Sequence, residues 1–176
     1  LGRLNITYLG RSASVKNYER VLDISQAIAK TTYEVGEKPF ECDYFASAPD
    51  SVIVLRIRSE EEGGIKAILS FDSQLPHSVQ AGGNEISAEG YAAYHSYPSY
   101  YNEVGNKHLY DPDRGVHFRT LIRVSVSDGS VKSYASGELK LDGVHEALIL
   151  VANVTSFNGF DKDPVREGRD YRKKVE

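Results

Sequence analysis

The chain has 176 residues, with 21 basic against 25 acidic side chains and a formal charge of −4, a length that suits one domain burying roughly two thirds of the surface its unfolded chain exposes. An apolar share of 40% excludes a disordered chain, and no apolar run approaches the roughly 20 residues that span a bilayer. The acidic balance argues against a general nucleic-acid binder, which needs a basic face to release counterions.

A single cysteine, Cys42, excludes an internal disulfide framework and any multi-cysteine zinc site. The chain opens at Leu1-Gly2-Arg3 and holds no methionine, and eleven of the sixteen residues from Asp161 to Glu176 are charged. It reads as a piece of something longer.

Period two dominates in chain order. Leu4, Ile6 and Tyr8 alternate with polar neighbours, and Ala27, Ala29, Thr31, Tyr33 and Val35 do the same up to Gly36. Ser25 to Lys30 therefore reads as strand, despite a short helical look. Val52 to Leu55 is continuously apolar, which suits a strand covered on both faces. Glu60-Glu61-Glu62 before Gly63-Gly64 reads as a solvated hairpin tip. Ile65, Ala67, Leu69 and Phe71 fill one face of a strand, and Gly82-Gly83-Asn84 reads as a turn. Ile122, Val124 and Val126 alternate up to Asp128-Gly129, a short-hairpin signal. Leu139 and Leu141 precede Asp142-Gly143, a second turn of that chemistry, and Ala147 to Ala152 is again continuously apolar. About nine or ten strands with turn signals roughly every 8–15 residues predict an all-β fold, an antiparallel sandwich or barrel. The one helix start is Asp163-Pro164, an N-cap followed by proline, in the charged tail.

The histidines, His77, His95, His108, His117 and His145, have no zinc-like spacing, and His117 between Val116 and Phe118 reads as a packed strand residue. Asp111-Pro112-Asp113 and Asp161-Lys162-Asp163 begin like calcium loops but lack the glycine and distal glutamate. Turn and cap roles account for Asp111 and Asp163. No nucleophile elbow and no phosphate-binding glycine loop is present, so no catalysis by this chain alone, no metal and no cofactor are expected. Tyr91, Tyr94, Tyr97, Tyr100 and Tyr101 crowd into eleven residues, and Tyr110 follows. Such an extended segment presents flat rings with polar tips, suited to sugar stacking or to a protein interface. The alternative is a lid of rings folded over the core.

Tyr18-Glu19-Arg20-Val21-Leu22-Asp23-Ile24 resembles a segment of the amino-terminal domain of family 95 glycoside hydrolases, the α-L-fucosidases. Phe45 to Arg56 is similar to the strand pair that follows it there. Gly90, His95, Pro98 and Tyr100, with Tyr110 to Phe118, resemble that domain's long loop and return strand. Ala147 to Ala152 and Thr155 to Pro164 resemble its last strand and exit. The resemblance implies a supersandwich-like β-sandwich over residues 1–160, followed at 161–176 by a charged linker or helix start leading to an (α/α)6 barrel. That barrel would hold the carboxylates of an inverting hydrolase, so no catalytic residue carries over to this chain. The family's opening Gly-Asn-Gly-rich strands have no counterpart, which implies the later part of a larger sandwich.

A non-catalytic segment that supports the barrel and flanks its substrate cleft is thus expected, with fucosylated glycans as the parent's substrates. A secreted or periplasmic bacterial parent follows from the same resemblance. The residues expected to face the barrel or line the cleft are His95, Tyr97, Tyr100, Tyr101, Tyr110 and Arg114. An autonomous sugar-binding module built on the tyrosine segment, and a purely structural interaction domain, are the other two readings.

Overall fold

A computed structural model describes residues 1–10 and 14–175. It is a two-sheet antiparallel β-sandwich. The elements in chain order are β1 (Arg3–Tyr8), β2 (Val15–Asp23), β3 (Ile28–Val35), β4 (Lys38–Ser47), β5 (Val52–Ser59), β6 (Ile65–Asp72) and β7 (His77–Gly82). Then come β8 (Glu85–Tyr91), β9 (His95–Ser96), β10 (His108–Leu109), β11 (His117–Val126), β12 (Ser130–Ser133), β13 (Leu139–Val144), β14 (Glu146–Thr155) and α1 (Tyr171–Lys174). Eight strands form the large sheet in the order β2-β3-β4-β5-β14-β11-β8-β7, and four form the small one, β1-β6-β13-β12.

The alternation places the core. Ala67 and Leu69 from the small sheet, and Ile86, Phe118, Ile122 and Ile149 from the large one, are fully buried between the sheets. An aromatic chain extends this core toward one edge. Tyr18 stacks on Tyr33 at 6.1 Å, Tyr33 on Phe40 at 4.5 Å, and Phe40 meets Tyr8 of the small sheet edge-on at 5.4 Å. Such pairs add roughly 0.5–1.5 kcal/mol each beyond the area they bury.

The turn signals sit where they were expected but do different jobs. Gly83-Asn84 does close the β7–β8 hairpin. Asp128-Gly129 instead carries the chain from β11 in the large sheet to β12 in the small one, and Glu60 to Gly64 likewise carries it from β5 to β6. Asp142-Gly143 is not a turn between strands but a register shift inside β13. These three sites meet at one corner. A Cβ on Gly64 would lie 2.6 Å from the carbonyl carbon of Gly143, and one on Gly129 would lie 2.5 Å from its oxygen. Close backbone approach explains the glycines there, and an Asp-Gly pair specifies a bend without specifying which sheet the next strand joins.

Ser25 to Lys30 is strand only from Ile28. Asp23 accepts hydrogen bonds from the backbone N–H groups of Ser25 (2.9 Å) and Gln26 (3.1 Å), turning the chain, and Ala27 has φ 57°. The helix expected at Asp163-Pro164 is a single turn. Asp163 caps the N–H groups of Val165 and Arg166, both at 2.9 Å, but the only described helix starts after Asp170, which caps Lys173 at 3.2 Å.

Hydrogen-bonded carboxylates pin the corner and the outer face of the large sheet. The backbone N–H and Nδ1 of His145 lie 2.8 Å and 2.6 Å from the Asp128 carboxylate. The His145 backbone bond, reinforced by the ring, holds Asp128 below the usual carboxylate range. The Lys140 ammonium does the same for Asp142, and the Arg56 guanidinium for Glu146. A depressed folded pKa contributes stability above the unfolded value that is lost as pH falls through the folded one. The melting temperature should therefore hold from neutrality to about pH 5 and fall progressively below about pH 4. Thermal melts against pH check this, and Asp128→Asn should flatten the acid limb.

Candidate functional site

The tyrosine-rich segment leaves the large sheet after Tyr91 and returns at His117. Its stem is closed by Ala92, whose N–H donates to the Val116 carbonyl at 2.9 Å. Beyond the stem the segment folds on itself. β9 pairs with β10, matching Ser96 to His108 and His95 to Leu109. Tyr94 donates to the Leu109 carbonyl at 3.0 Å and Tyr97 to the Lys107 carbonyl at 2.8 Å. The connection is thus a small hairpin of its own, with backbone bonds at the stem and in its arms.

Three of the six expected site residues are brought together. The His95 ring meets Tyr97 edge-on at 4.4 Å, and Tyr97 stacks on Tyr101 at 5.5 Å with the planes only 11° apart. At the tip, Tyr101 donates its backbone N–H to Pro98 at 3.0 Å, and the Lys107 ammonium donates to the Ser99 carbonyl. Tyr100 beside this stack is 80% exposed. Tyr110 and Arg114 lie apart from it, on the return. The Arg114 guanidinium sits 3.8 Å above the Tyr94 ring, a cation–π contact not legible in the spacing.

Asp111 builds that return. It accepts the Asp113 N–H on its side chain at 2.9 Å and the Arg114 and Gly115 N–H groups on its carbonyl at 3.1 Å and 2.9 Å. His117 Nε2 lies 2.7 Å from the Pro112 carbonyl, and its ring is flanked by Tyr91 at 5.8 Å and Tyr171 at 6.0 Å. That histidine is structural, fastening the stem to the C-terminal segment.

Among the described residues, neither the core cluster nor the partly buried side chains packed on it draw on residues 92–116. The rings therefore do not form a lid over the core. What the hairpin offers is a self-supported aromatic stack with hydroxyl tips, suited to contact with another surface. No group of three or more His, Cys, Asp or Glu among the described residues is arranged to hold a metal ion. No described helix is long and apolar enough to cross a membrane.

Comparison with known proteins agrees with this architecture. A family model described as glycosyl hydrolase family 65, N-terminal domain, matches residues 1–159. The chain is also 31% identical over 166 residues to Alpha-L-fucosidase 2 of Arabidopsis thaliana. That alignment covers 90% of this chain and 20% of the plant protein, so the chain spans about a fifth of its curated relative. A nearly all-β antiparallel sandwich matched over almost its whole length by one family model leads to a single assignment: the chain belongs to the glycosyl hydrolase family 65 N-terminal domain family.

Proposed function

We propose that this domain is the non-catalytic sandwich of an α-L-fucosidase-like hydrolase, seated against a catalytic (α/α)6 barrel, with the tyrosine hairpin flanking the substrate cleft. The observation that carries the reading is the hairpin itself, a stacked aromatic platform built outside the core and exposed at Tyr100. Long structured loops on a sandwich are the usual carriers of contacts, because the scaffold holds them while leaving their side chains accessible. The relative named for fucosidase activity supplies the substrate class, a terminal α-linked L-fucose. Inversion at the anomeric carbon would be the work of carboxylates on the barrel.

The 176-residue chain alone should release no fucose from fucosyl-lactose or aryl fucosides. Turnover that copurifies with the chain through successive columns would sink the non-catalytic reading. Exposure of Tyr100 also favours a second reading, an autonomous sugar-binding module. Titrating fucosylated oligosaccharides against the same sample separates the two, since saturable binding supports the module and its absence the interface.

A further inference from the structure

Val52 to Leu55 and Ala147 to Ala152 carry the apolar pattern of strands covered on both faces, yet β5 and β14 are covered on one. Their outward residues Val52, Val54, Leu148 and Leu150 floor a groove of about 1050 Å³ on the outer face of the large sheet. It runs across β14, β5, β4, β3 and β2. Val54 at its bottom is 7% exposed, whereas Phe45 and Leu148 are 39% and 37% exposed. An aliphatic floor suits a polypeptide better than a sugar, whose hydroxyls would lose water without gaining partners.

The polar groups around the groove are not neutral in sum. Arg56 grips Glu146 through two bonds of 3.1 Å and 3.0 Å, Lys30 lies 2.6 Å from Glu41 and 4.0 Å from Asp43, and Arg58 lies 3.8 Å from Asp43. Asp23 takes its hydrogen bonds from Ser25 and Gln26, and Asp50 from Ser47 at 2.5 Å. Among the described residues neither is ion-paired. With Glu41 and Arg58, the partners of Lys30 and Asp43 just outside the lining, five carboxylates against three cations leave the groove acidic.

We infer that this groove seats an amphipathic α-helix with one aliphatic face and lysine or arginine on its flanks, supplied by the hydrolase that carries the domain. The inference rests on the proposed seating of this domain against the rest of that enzyme. A helix fits because β3, β4, β5 and β14 are each paired on both sides. The middle of the sheet offers no backbone edge for an added strand, and a helix satisfies its own backbone. The same face already holds one. α1 packs across β11 and β14, its neighbour Val175 is buried, and Arg172 pairs with the outward Glu89 at 2.8 Å. The groove starts on β14, so it continues an interface that a basic helical segment already occupies.

Photo-cross-linking of the intact hydrolase tests this. With p-benzoylphenylalanine in place of Phe45, or separately of Leu148, irradiation should capture a segment outside residues 1–176. Its apolar residues should recur at i, i+3 and i+4, with Lys or Arg beside them. Asp50→Lys should lower the yield about threefold, the size of one surface charge pair. No cross-link, capture of a second copy of the domain, capture of an extended segment, or a yield unmoved by Asp50→Lys overturns the inference. The same photoreactive residue at Tyr100 reads the hairpin independently. Cross-links from the groove alone uphold the helix and retire the cleft-flanking hairpin, and cross-links from Tyr100 alone do the reverse.

Discussion

Gly129→Ala should lower the stability of this domain by about 3 kcal/mol, whereas Gly83→Ala should cost about 1 kcal/mol. Both glycines have positive φ, 67° and 57°, so both substitutions meet the left-handed backbone penalty of roughly 1–2 kcal/mol. Only Gly129 adds a collision. Its Cβ would stand 2.5 Å from the Gly143 carbonyl oxygen, while nothing lies within 4 Å of a Cβ on Gly83. The obstacle is backbone, and it is held from several sides. Asp128 accepts the His145 N–H at 2.8 Å, Ser127 donates to Glu146 at 3.1 Å, and His145 accepts from Ser59 at 2.9 Å. Relief by a small shift would therefore disturb three hydrogen bonds at once, two of which close the ends of β11 and β5 against β14. For a domain of this length, the difference corresponds to melting temperatures lower by about 6–12 °C and about 2–4 °C. Denaturant and thermal melts of the two variants check it, and equal losses would mean that the corner yields freely.

That corner also shows what the sequence could and could not convey. Alternation at Ile65, Ala67, Leu69 and Phe71 identifies a half-buried strand correctly, because period two follows from the pleat alone. Membership of a sheet does not follow from it. Asp128-Gly129 has the chemistry of a hairpin turn, but the same local geometry serves a strand that crosses to the opposite sheet. Asp23 hides a turn inside an alternating pattern, since only its side-chain hydrogen bonds break the strand before Ile28. Asp163 has a genuine cap, yet the turn it starts reaches Gly168, where a Cβ would meet the Ser156 carbonyl at 3.0 Å. The tyrosine segment was legible as a long connection, with a contact platform and a lid over the core equally compatible with its spacing. Its hairpin was not, because two-residue strands carry no periodicity, and the Arg114–Tyr94 contact joins positions twenty apart in the chain. The two continuous apolar runs read as strands covered on both faces, whereas β5 and β14 turn Val52 and Leu148 to an open groove on the outer one.

Truncating Tyr100 and Tyr101 together to alanine should cost little in the isolated domain and much more in the whole hydrolase. In the isolated domain the loss should be about 1 kcal/mol, mostly the stacking of Tyr101 on Tyr97 at 5.5 Å. Tyr100 is 80% exposed and contributes little there. In the whole enzyme these rings are expected to press against the barrel or the sugar beside its cleft. Buried aromatic anchors at an interface commonly carry about 2 kcal/mol or more, so kcat/KM or domain docking should fall by about thirtyfold or more. Packing over the core would instead remove roughly 3–5 kcal/mol per ring in the domain itself. Denaturant melts of the domain and kinetics of the whole enzyme, run on the same double variant, give the two readouts. A hydrolase that keeps its full kcat/KM and its domain docking after the double truncation would show that the hairpin meets neither barrel nor substrate. The stack from His95 through Tyr97 to Tyr101 would then be a surface ornament of the fold, held by its own ring contacts and by the β9–β10 pairing.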